Sequence, residues 1–144
     1  MSCDTASIRI NQSADVVFDF MSDPHRLDLW SFGTWNIEII HDDLILGKSI
    51  FNGSSIYVRV QPHNAQMLID YHIGQTEDSL AARIFARVIS GTDFGADQQT
   101  SMLLLTAIRS DDMNDERWGG LKNSHAFEVS LIKSLIESGY DHRV

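Results

Sequence analysis

The sequence predicts an α+β fold in which one curved, seven-stranded antiparallel sheet closes around a long C-terminal helix, with two short helices between strands 1 and 2. Three observations predict it. Apolar and polar residues alternate over residues 7–11, the pattern of a half-buried strand. Between residues 36 and 109 six more strand-like runs follow, separated by short turn sequences. Connections that short join antiparallel neighbours. Residues 118–136 then carry a single apolar stripe at helical spacing. One long helix with one apolar face must lie across the sheet, and the sheet must curve around it.

In the first strand Ile8 and Ile10 share a face. Ser13 is placed to cap a helix, with Asp15 near its positive end. Val16, Val17, Phe20 and Met21 recur at helical spacing and form the buried side. Asp23-Pro24 is a second start signal, a capping carboxylate followed by proline at the first helical position. A short helix to about Trp30 follows. The candidate strands are 36–41, 44–52, 56–62, 67–73, 82–90 and 100–109. Between them lie Asp42-Asp43, then residues 52–55, 63–65, 74–79 and 91–99, which carry turn residues. Asn114 caps the last helix, Asp115 and Glu116 suit its first turn, Lys133 suits its end and Gly139 terminates it. Trp118, Leu121, His125, Val129, Ile132 and Ile136 step by 3, 4, 4, 3 and 4 residues, one narrow stripe on a helix of 3.6 residues per turn. Gly119-Gly120 weakens the first turn by about 1 kcal/mol per glycine relative to alanine. The pair marks either a bend or a place where a loop or ligand approaches the backbone.

The chain has 144 residues, 20 acidic and 11 basic, a net charge of −9 and 43% hydrophobic residues. These values suit one domain over residues 1–144 with a sizeable core and exclude a disordered chain. The basic residues are scattered, so no stripe exists to release phosphate counterions from nucleic acid. An anionic membrane surface would repel the chain. No apolar run approaches the roughly 18 residues of a membrane-spanning helix, so no membrane insertion is expected. No signal-peptide pattern opens the sequence, which makes the cytoplasm the default expectation. Cys3 is the sole cysteine and is expected in a mobile terminus, where it excludes an internal disulfide and a cysteine-based metal cage. The six histidines lack metal-ligand spacing, so neither a metal nor a cofactor is expected. There is no G-x-S-x-G elbow, P-loop or G-x-G-x-x-G. The acidic pairs Asp42-Asp43, Glu77-Asp78 and Asp111-Asp112 fall in predicted turns, where solvated or capping roles are normal.

The element order and several local sequences resemble the START-related superfamily, the SRPBCC or polyketide cyclase/dehydrase-like group. Residues 10–24 look like its first strand and helix start, ending in Asp23-Pro24, with Trp30 matching the tryptophan that commonly follows. Residues 46–51 (Leu-Gly-Lys-Ser-Ile-Phe) look like its third strand, and residues 125–137 like the end of its last helix. The resemblance implies a helix-grip fold with a deep, largely apolar cavity between sheet and helix. It implies binding of a small hydrophobic molecule, lipid-, polyketide- or aromatic-like. Two alternatives come with it: a cyclase/dehydrase-type enzyme, or a co-chaperone-like interaction module without a ligand. A homodimer pairing through an exposed sheet edge is a further option.

Candidate site residues follow from face and spacing. Met67, Ile69 and Tyr71 are expected on the cavity side of their strand, with His72 facing outward. Ile84 and Val88, then Met102 and Leu104, are expected to continue the wall. Leu121, His125, Val129 and Ile132 form the helix side. His125 is the most informative of them: a neutral imidazole in an apolar stripe is either a satisfied core group, or a polar handle or acid/base. The resemblance and this placement assign it, with Tyr71, to orienting a ligand, and assign it the acid/base role if the protein is an enzyme. No second acid or base is visible on its face. Trp30, Trp35 and Trp118 either rim the cavity or close the core. Arg83 and Arg87, with Arg59, either face inward and hold a carboxylate or phosphate of a ligand or, as alternation favours, lie on the convex face paired with acids such as Asp70.

Overall fold

The computed structural model describes residues 2–144. The chain runs β1 (Cys3–Ile10), α1 (Ala14–Ser22), a single 3-10 turn (Pro24–Arg26) leading into α2 (Leu27–Trp30), and β2 (Trp35–His41). Then come β3 (Leu44–Lys48), β4 (Ser55–His63), β5 (Leu68–Gly74), β6 (Ala81–Ser90), β7 (Ser101–Ile108) and α3 (Asp115–Ser138). The seven strands form one sheet in the order β1-β7-β6-β5-β4-β3-β2, antiparallel at every step. Its edges are therefore β1 and β2.

Local chemistry sets the helix ends as the sequence predicts. The Ser13 side chain accepts the N–H of Val16, and that of Asp23 accepts the N–H of His25 ahead of Pro24. Asn114 accepts the N–H of Arg117, and Gly139 closes α3 in the left-handed region at φ 72°, where only glycine is free of strain. Two strand boundaries differ by more than one residue. Cys3 is exposed but opens β1, paired with Ile108, so the predicted mobile end is a strand. Residues 49–52 leave the sheet, because Ser49 closes a loop by hydrogen bonds with Ser54 and Gly53.

Cross-strand partners share a face, so the register defines the concave wall. Ile8 opposes Leu103, which opposes Val88. Ile69 opposes Ala86, Tyr71 opposes Val60 and Ile84, and Val58 opposes Ile73. Leu103 and Leu105 are fully buried and Ala107 nearly so. Met102 and Leu104 are only partly buried and stand on the opposite, convex face, across from Arg9 and Arg87. Their predicted place in the cavity wall is thus inverted. Met67 is also displaced: it sits before β5 in a left-handed turn (φ 50°) and packs against the margin of the core.

Helix α1 covers the middle of the concave face, over β4 to β7. It buries Val17, Phe20 and Met21 against Ile69, Val88, Leu103 and Leu105. Val16, expected on that side, is exposed. Helix α3 packs on β1 and β7 and touches α2. It therefore leans to one side of the sheet, and the concave face of β4 to β6 beyond α1 is left uncovered.

Candidate ligand-binding cavity

A cavity of about 750 Å³ fills that uncovered region, a volume suited to a small organic molecule. Ile56 and Val58 of β4, Tyr71 and Ile73 of β5 and Ile84 of β6 form its floor. Leu27 and Trp30 of α2 close one side, with the Trp30 ring edge-on to Tyr71 at 5.8 Å and 71°. Across from them α3 presents Arg117, Gly120, Leu121, Ser124, His125 and Glu128. The mouth lies between the first turns of α3 and the loop after β3, where Phe51 is largely exposed.

The structure brings together Trp30, Tyr71, Ile84, Leu121 and His125 of the predicted set. Ile69 and Val88 are buried beneath α1 rather than beside the cavity, and Val129 and Ile132 pack in the same core. Trp118 belongs to a small cluster with Ala107 and Met113. The Trp35 ring stacks on His142 at 5.6 Å, near the C-terminal end. Trp118 thus closes a small separate core, Trp35 is half-buried outside both clusters, and neither rims the cavity. A Cβ added at Gly119 or Gly120 meets nothing within 4 Å. No loop leans on that backbone, and Gly120 instead opens space at the mouth.

Tyr71 is buried, and its hydroxyl donates to the Met21 carbonyl at 2.7 Å. Burial raises its pKa far above the usual phenol value. Its proton is thus committed to the fold, and only its oxygen lone pairs remain for a ligand.

The inner end holds a polar pair that the sequence reading missed. Glu128 lies one turn beyond His125, and both are almost fully buried. His125 Nε2 and Glu128 Oε1 are 3.8 Å apart. Glu128 Oε2 accepts the N–H of Phe32 at 2.9 Å. His125 Nδ1 and Glu128 Oε1 have no hydrogen-bond partner. Burial pushes the Glu128 carboxyl up to about 8, against a smaller lowering by the Phe32 N–H. Burial pushes His125 down to about 4, against a smaller opposing effect of the Asp4 charge on β1. At neutral pH the cavity therefore ends in a carboxylic acid and a neutral imidazole. With Oε2 already accepting, the acid proton belongs on Oε1.

Phe32 anchors this end. Its N–H goes to Glu128 and its carbonyl accepts the N–H of Ile50 at 2.9 Å. The same loop crosses β3 at Gly47, where a Cβ would stand 2.6 Å from Thr34 Cγ2 and 3.2 Å from Thr34 Cα. That close approach requires glycine. On the convex face Arg59 pairs with Asp43 at 3.2 Å, while Asp70 is taken by His63 at 3.0 Å. Arg83 departs from the expected face and lines the cavity. Among the described residues no cluster of metal-ligating side chains is present and no helix is long and apolar enough to cross a membrane.

No protein-family model and no curated protein matches the chain. Solved structures match it in shape. The Zhui aromatase/cyclase from a Streptomyces species superposes with a TM-score of 0.71 at 13% identity, over 98% of this chain and 96% of that one. The Aha1 dimer from Colwellia psychrerythraea gives 0.70 at 15% identity, over 98% and 100%. A START superfamily protein from Mycobacterium smegmatis gives 0.66 at 10% identity, over 97% and 100%. Identities this low speak to architecture, and on that level the chain has the helix-grip fold of the aromatase/cyclase and START-superfamily structures.

Proposed function

We propose that the protein binds a small, largely apolar molecule in the cavity between sheet and α3, with His125 and Glu128 recognising a polar group at its inner end. The observation that carries this reading is the 750 Å³ cavity itself, lined mostly by apolar surface and, among its polar lining residues, by His125 and Glu128, whose Nδ1 and Oε1 atoms lie just behind its surface without hydrogen-bond partners. Buried polar atoms normally find partners. A hydroxyl or carbonyl on a ligand supplies one here, while the apolar walls supply affinity at roughly 25 cal/mol per Å² before the cost of ordering.

The test is a titration with naphthol and with naphthalene. The native protein should prefer naphthol, and His125→Leu should lose that preference by roughly tenfold while keeping its fold. Equal affinities in the variant and the native protein would defeat the assignment.

A second reading, a cyclase/dehydrase-type enzyme, is favoured by one observation: the buried pair is a protonated acid beside a neutral base. In that reading Glu128 donates its proton to a substrate carbonyl oxygen while His125 takes one from the adjacent carbon. Wild-type protein, but not His125→Ala, would then exchange those carbon-bound protons with solvent. An interaction module is less well supported, because its core would be filled. Self-association, the state named for the Colwellia protein, would use one of the two sheet edges, β1 or β2.

A further inference from the structure

Two cations stand at the cavity wall in a chain that is strongly acidic. Arg83 comes from β6 and Arg117 from the first turn of α3, and both line the cavity. Strict alternation would put Arg83 on the convex face with Phe85 and Arg87. A register shift prevents this: Tyr71 opposes Ile84, but two residues on, Ile73 opposes Ala81. The extra residue on β6 is a bulge, a device that re-aims a side chain.

The other arginines near acids are engaged. Arg26 meets Asp23, Arg59 meets Asp43, Arg109 meets Asp115, and Arg143 meets Asp28 and Asp141. Neither Arg83 nor Arg117 has an ion pair or a side-chain hydrogen bond among the described residues. Both line the same cavity, and the Arg117 charge, after burial, helps to lower the Arg83 pKa. The Asp112 carboxylate, which accepts from the Ser110 hydroxyl at 2.6 Å, carries the opposing charge and acts on both arginines without forming an ion pair with either. Glu116 also lines the mouth and is exposed to solvent. With 20 acidic residues against 11 basic, two guanidiniums on one cavity wall with no carboxylate in ion-pair contact leave their donors open to an oxyanion. Each offers planar, forked donors matched to a carboxylate, sulfonate or phosphate.

We propose that the molecule taken into the cavity is an amphiphilic acid, its oxyanion held at the mouth by Arg83 and Arg117 and its apolar body lying over β4 to β6. This rests on the cavity being a ligand site. The anionic group is at the opposite end from His125 and Glu128, so the ligand spans the cavity with a charged outer end and a neutral polar inner end. The exposed Phe51 at the mouth covers the apolar stretch next to the clamp.

Two dyes that differ by one group test the clamp: anilinonaphthalene sulfonate and its sulfonate-free parent, phenylnaphthylamine. Fluorescence titration of the native protein should show the sulfonate binding roughly tenfold more tightly than the parent. Arg83→Gln with Arg117→Gln should abolish that advantage and leave the affinity for the parent unchanged, with melting curves confirming the fold. Gly120→Leu, which narrows the cavity, should weaken both dyes together and so locate them. If the native protein binds both dyes equally, or the double glutamine variant keeps the preference, the clamp is overturned while the cavity reading stands. If neither dye binds, or Gly120→Leu leaves both unaffected, both readings fall.

Discussion

Glu128 keeps its proton through neutral pH because its carboxyl is buried and its strongest donor is one backbone N–H. Its folded pKa, about 8, lies above the ordinary 4.5. Between those values the unfolded chain releases a proton that the folded chain keeps, so stability falls as pH rises. His125 acts in the opposite sense: between its ordinary 6.5 and its folded value of about 4, stability falls as pH drops. The two effects oppose each other over the acid range, and only Glu128 acts from pH 6.5 to 8. Over that interval the native protein should lose about 2 kcal/mol, and Glu128→Gln should remove most of that slope. Urea unfolding at the two pH values measures it. His125 was legible in the sequence because a histidine interrupts an apolar stripe. Glu128 was not, because a glutamate on a helix ordinarily faces water, and its only signal was the three-residue spacing from His125.

At the scale of the element, α3 shows two neighbouring faces rather than one. The apolar stripe of Trp118, Val129 and Ile132 faces packed core. The cavity sees the adjoining ridge of Arg117, Gly120, Ser124 and Glu128. Those residue types read as a solvated surface, so helical spacing put Leu121 and His125 on the cavity side but not the ridge beside them. Strand β7 was misread for a related reason. Residues 102–105 are all apolar, so alternation has no phase to follow, and pairing with β1 decides which of them face inward. Gly120 exposes the ridge to experiment. Gly120→Leu should raise stability by about 0.5–1 kcal/mol, because glycine is a poor helix residue, and should weaken phenylnaphthylamine binding about tenfold by filling the mouth. A thermal melt and a dye titration on the same sample check both directions.

Across the whole molecule the concave face is divided. Helix α1 packs one part into a dense core, α2 and α3 bound the rest, and the division explains why Ile69 and Val88 were correctly placed on the inner face yet touch no cavity. Sequence patterns report which side of a sheet is dry. They do not report which part of the dry side is filled by another element. A ligand should therefore act locally on a rigid frame. At a hundredfold excess over Kd it should add about 2.7 kcal/mol. It should slow amide exchange in residues 49–54 and 114–124, and leave the core of β5 to β7 unchanged; hydrogen-exchange mass spectrometry would show the pattern. Pairing of Cys3 with Ile108 across the sheet has a separate consequence. During synthesis the first strand emerges about a hundred residues ahead of its only neighbour. Until β7 arrives it has a free edge and no template, so closing this margin should come late in folding, and a nascent chain halted before β7 should leave that edge open to aggregation.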